Sequence, residues 1–86
     1  MMAQATVEDF APKDLRELRV ALAQEARDRL HAHVMQHYGA LHELDLYVKM
    51  EAKYPETGTK HTEFRRRYRD AVKELREARR AMAEGE

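Results

Sequence analysis

From His61 to Met82 the chain repeats one step. His61, Phe64, Tyr68, Ala71, Leu75, Ala78 and Met82 follow one another at alternate intervals of three and four residues, without a skip. That spacing puts all seven on one side of an α-helix. It fits no strand, where side chains alternate every two residues. Val72 widens the stripe, and the pattern is that of a coiled-coil seam.

The composition narrows the fold further. Hydrophobic residues make up 43% of the 86, but 13 of them are alanine and none is isoleucine. Five valines and four threonines are too little β-branched material for a sheet. Three glycines and two prolines cannot supply the tight turns of a strand-rich fold. Charged residues, at 37%, interrupt every apolar run long before membrane-spanning length. The expected class is all-α, a single helical domain over 1–86 with flexible ends at 1–11 and 84–86. Cysteine is absent, which excludes disulfides and thiolate metal sites. The stretch Met1–Asp9 has neither a basic start nor an apolar run of signal-peptide length, so the expected location is cytoplasmic.

Two places look like chain breaks. At the first, Pro12 suits the opening position of a helix, with Phe10 packing on Leu15 or Asp9 serving as N-cap. At the second, Tyr54-Pro55-Glu56-Thr57-Gly58-Thr59, Pro55 forces Tyr54 out of helical conformation and Gly58 permits positive φ. Thr57 or Thr59 can then cap the next helix. Between the breaks Leu15, Leu18, Leu22, Ala26, Leu30, Val34, Tyr38, Leu41, Leu44 and Val48 keep helical spacing, with only Gly39 as a weak point. The expectation is an antiparallel helical hairpin: a long helix over 12–53, on the order of 60 Å, a turn over 54–59 and a second helix over 60–83. His37 falls within the seam of the first helix. The alternative is a three-helix bundle broken near Gly39.

Unequal lengths drive the expectation about assembly. A second helix over 60–83 reaches back only to about residue 30, so Leu15, Leu18, Leu22 and Ala26 have nothing opposite them. An amphipathic overhang owes its stability to packing, and a two-helix hairpin has little core of its own. A homo-oligomer, most simply a four-helix dimer, supplies the missing surface. A second stripe, Val20, Ala23, Met35, Leu46 and Met50, lies off the main seam and suggests a further interface with a partner protein.

Charge is uneven along the chain. Residues 1–59 carry a net −3 and residues 60–82 a net +5. In the second helix Arg66–Asp70, Lys73–Glu77 and Arg80–Glu84 are spaced for surface ion pairs four residues apart. Arg65, Arg69, Arg76 and Arg79 remain on one flank. They can follow a phosphate backbone, face Asp45 and Glu51 of the first helix, or meet an acidic partner. Adjacent acids and a formal net charge of zero argue against the nucleic-acid reading.

Of the five histidines, His33 and His37 have the four-residue spacing that places two imidazoles on one face, where a metal such as zinc would need further ligands from elsewhere. Nearby carboxylates are sparse. The run His42-Glu43-Leu44-Asp45-Leu46 starts like a zinc-protease motif but has leucine where the second histidine belongs. With no serine, no cysteine and no glycine-rich phosphate loop, nothing in the sequence supports catalysis, and no cofactor is expected. The functional expectation is a non-enzymatic protein–protein interaction module, an adaptor or regulator, that works as a homo-oligomer. The alternatives are nucleic-acid binding through the arginine flank and metal binding through His33 and His37. No membrane partner is expected.

Overall fold

The computed structural model describes residues 12–85. They form α1 (Pro12–His37), α2 (Leu41–Lys53), a single 3-10 turn (Pro55–Thr57) and α3 (Lys60–Glu84), with no strand among the described residues. The all-α class is as expected, and α1 does begin at Pro12. The start signals Asp9 and Phe10, and the expectation of a flexible 1–11, lie outside the described residues.

The continuous helix over 12–53 is not formed. Gly39 sits at φ +83°, in the left-handed region that side chains with a Cβ rarely adopt. The Val34 carbonyl accepts from both the Tyr38 and Gly39 N–H groups, at 2.8 and 3.0 Å, which closes the last turn of α1. Ala40 is then fully extended (φ −164°, ψ 158°) and α2 starts without a side-chain cap. The missing cap hid this boundary: a helix start with alanine before it carries no capping residue in the sequence.

The break changes what α3 can reach. Because α1 ends at His37, α3 runs back along α1 over its whole length. His61 meets Tyr38, Tyr68 meets His31, Glu74 meets Arg19, and the Gly85 carbonyl accepts from Arg16 at 3.1 Å. The overhang expected over 12–29 is therefore covered on one side by α3. Arg16 also places a cation at the C-terminal end of α3, where the helix dipole favours it. At this end α3 extends to Glu84, and Gly85 is bonded to Arg16. Meanwhile α2 lies on the N-terminal half of α3, with Asp45 on Arg65 and Glu51 on the first turn of α3.

The core is thin and divided. One cluster joins Ala23 of α1 to Leu75 and Ala78 of α3, with Val20 beside it. The other joins all three helices through Val34, Leu44 and Tyr68, surrounded by Leu30, Tyr38, Leu41, Val48, Phe64 and Val72. Among the described residues only Val34 and Leu44 are large side chains with no exposure at all. Burying one of these contributes about 1.5–3 kcal/mol. The α3 stripe reads as expected, with Tyr68, Leu75 and Ala78 buried. His37 is exposed instead of entering the seam, because the helix ends there and turns away. The Cα radius of gyration is 17.4 Å, against about 12 Å for a compact domain of this length, so the molecule is elongated and much of each helix faces out.

The link between α2 and α3 follows the sequence. Tyr54 leaves helical geometry before Pro55 (φ −124°, ψ 76°) and Gly58 takes φ +99°. Neither threonine caps α3. The Thr57 hydroxyl donates back to the Tyr54 carbonyl, and Thr59 occupies the N-cap position without a side-chain bond. The cap comes from α2: the buried Glu51 carboxylate accepts from the N–H groups of His61 (3.1 Å) and Thr62 (2.7 Å) and from the Thr62 hydroxyl (2.8 Å).

Candidate functional site

Two surfaces stand out, and they differ in charge. The first is on α1. Leu18 is 41% exposed and Leu22 57%. With Leu15, Ala23 and Ala26 they line a shallow groove whose α3 edge is Glu74. Successive residues turn about 100° round a helix, so the stripe lies well off the line through Ala23 and Val34 that packs on α3. That is why α3 covers α1 without covering these leucines. The two charged residues in the groove's lining neutralise each other: Arg19 pairs with Glu74 through two hydrogen bonds of 2.9 Å. The hydrogen bond from Arg19 holds the Glu74 carboxyl below its usual range, although partial desolvation works the other way.

The second expected stripe does not form one face. Val20 and Ala23 turn toward α3 and belong to the core, whereas Met35, Leu46 and Met50 are exposed. Tyr47 and Tyr54 are exposed with them, so α2 keeps an apolar outer side near the turn.

The second surface is basic. Arg65, Arg69 and Arg76 border a hollow of about 530 Å³ beside α2, floored by Leu41, Tyr68 and Val72. Arg76 and Arg79, together with Arg27 of α1, border a second hollow of about 400 Å³ over Tyr68, Val72 and Leu75. Tyr68, Val72 and Arg76 are common to both, so the four arginines singled out in the sequence share one trough. Arg65 bonds Asp45 at 2.8 Å and lies 5.7 Å from the Tyr68 ring centre. Arg79 bonds the Gln24 side-chain oxygen, bridging α3 to α1. The three ion pairs expected along α3 are not formed. Asp70 takes Arg69 instead, and among the described residues Arg66, Lys73, Arg76 and Arg80 have no carboxylate partner. Arg27 was not legible as part of this surface, because its place depends on α3 running the length of α1.

Where the three helices meet near the turn, aromatic rings gather. His33 lies against His37 (centroids 4.1 Å apart) and Phe64 (4.5 Å), and Tyr47 lies against His61 (4.7 Å). The Tyr38 hydroxyl and His61 Nδ1 share a hydrogen bond. Desolvation raises the Tyr38 phenol above its usual range, and the Glu51 charge adds to this. Among the described residues no three His, Cys, Asp or Glu side chains converge as a metal would need; His33 and His37 lie as a pair of rings tilted by 36°.

Glu51 is the site residue that sequence reasoning placed least well. It faces the start of α3 and not the arginine flank. Burial pushes its carboxyl up, but the bonds from Thr62 and from the His61 and Thr62 N–H groups outweigh that and hold it below the usual range. The signal was present. Leu41, Leu44, Val48 and Glu51 continue the same three-and-four step, which puts a carboxylate at a seam position.

No helix among the described residues is long and apolar enough to cross a membrane. No protein-family model, curated protein or solved structure matches this chain.

Proposed function

We propose that this chain is a non-enzymatic helical interaction module that pairs with a second copy of itself through Leu15, Leu18, Leu22 and Ala26. The observation that carries the reading is the exposure of Leu18 and Leu22 on a groove whose lining charges, Arg19 and Glu74, are paired with each other. A two-fold interface puts the same patch on both partners, so it must tolerate itself. A neutral apolar strip does so, whereas a strongly charged one repels its copy. The thin core and elongated shape add to the case, because a second copy supplies the burial that one chain lacks. The exposed Met35, Leu46 and Met50 offer adaptable contacts for a different protein on the outer side of α2.

The test is a Leu18→Asp/Leu22→Asp double change. Both side chains are exposed, so the helices should keep their circular-dichroism signal while the mass by light scattering falls to that of one chain. An unchanged mass, with a dimer still present, would refute this interface.

A further inference from the structure

We propose that the arginine-walled trough takes an acidic amphipathic helix from a partner protein, seated end to end with α2. Lengths come first. At 1.5 Å per residue, α3 (25 residues) is about 37 Å long and α2 (13 residues) about 20 Å. On the α2 side, α3 is covered only to the level of Leu41, which lies against Tyr68 and Arg69. From Val72 to Arg79, about 12 Å or two turns, that side of α3 has no α2 over it.

The chain itself shows how such a seat is filled. In the lower half, α2 turns Leu41, Leu44 and Val48 inward and presents Asp45 to Arg65. The upper half repeats the host side of that arrangement. Tyr68, Val72 and Leu75 lie at its floor, Val72 half-buried and the other two nearly covered, with Arg69, Arg76, Arg27 and Arg79 around them. Carboxylates are short along this stretch: Arg76 has no carboxylate partner among the described residues and Arg79 has only the neutral Gln24 amide, while Arg27 pairs with Asp28 at 3.1 Å and Arg69 with Asp70 at 3.3 Å. An acidic helix brings those acceptors to arginine forks that suit carboxylates, and its apolar stripe meets the floor. A second copy does not fit, since it would set arginine against arginine. A phosphate backbone gains nothing from the apolar residues of the floor.

This surface is separate from the self-pairing face. Leu22 and Leu18 lie about 140° and 180° round α1 from Arg27, so the two readings stand or fall independently.

Fluorescence anisotropy tests the proposal with three labelled probes: a three- to four-turn amphipathic peptide with glutamates flanking a leucine stripe, its Glu→Gln counterpart, and a short DNA duplex. The expected result is saturable binding of the acidic peptide, at least tenfold weaker for the glutamine peptide and at least tenfold weaker again for protein carrying Arg76→Glu. Arg76 is exposed, so this variant keeps the fold, as circular dichroism verifies. The Leu18→Asp/Leu22→Asp protein should bind the acidic peptide as the unmodified chain does, which separates a failed trough from failed self-pairing. Equal binding of the two peptides, or no effect of Arg76→Glu, overturns the proposal. Displacement of the acidic peptide by equimolar duplex overturns it in favour of a nucleic-acid surface.

Discussion

Replacing Gly39 by alanine separates the two architectures by sign. In a helix running unbroken from 12 to 53, glycine at 39 is a defect, and alanine there stabilises by about 0.5–1 kcal/mol. In the broken chain Gly39 is at φ +83°, and the left-handed conformation costs an L-residue about 1–2 kcal/mol. A Cβ built on Gly39 meets nothing within 4 Å, so no clash adds to this backbone term and no packing offsets it. The expected outcome is a loss of about 1–2 kcal/mol. For a domain of this size each kcal/mol moves the melting temperature by about 4–8 °C. Thermal unfolding followed by far-ultraviolet circular dichroism, at one fixed protein concentration because self-association shifts apparent stability, reads the effect directly. Gly39→Asn serves as the control. Asparagine tolerates positive φ better than alanine and should lose less. A rise in melting temperature for Gly39→Ala would refute the break, and with it the placement of α3 along α1.

Leu44 has no exposure and joins all three helices, so Leu44→Ala should cost about 2–5 kcal/mol, a large share of a small domain's stability, measured as a loss of denaturant midpoint. The carboxyls of Glu51 and Glu74 are both held below the usual carboxylate range in the folded state, so their contributions are present well above that range and disappear as pH falls through the lower folded values. The melting temperature should therefore hold from pH 7 to about 5.5 and drop below about 4.5. Glu51→Gln should start lower at pH 7 and fall less steeply, and an unchanged acid profile would contradict the capping role assigned to Glu51.

The parts of this molecule that were legible in the sequence are those set by local chemistry. The α3 stripe, Pro12 as a helix start, and the Pro55–Gly58 turn each rest on residues within one or two turns of each other. The ion pair between Arg65 and Asp45 was among the partners foreseen for that flank. What went unread depended on partners distant in sequence. Gly39 looked like a tolerated weak point because Ala40 offers no capping side chain; the bonds that end α1 there are all backbone. An unbroken first helix would set α3 against residues 30–53, whereas the break sets it along α1, opposite Arg27, Arg19 and Arg16. The surface ion pairs along α3 were read from spacing alone. Spacing does not show that Asp70 prefers its neighbour Arg69 or that Glu74 is taken by Arg19 across the helix pair. Leu18 and Leu22 are exposed because they lie on a flank of α1 that α3 does not face, not because they lie beyond the end of α3.

The most direct measurement of the central claim is the mass of the unmodified chain by sedimentation equilibrium over a hundredfold range of concentration. Coverage of the Leu18–Leu22 face by a second copy predicts twice the single-chain mass at the upper end, relaxing toward the single-chain value on dilution if the pairing is reversible. One chain's mass at every concentration would contradict it.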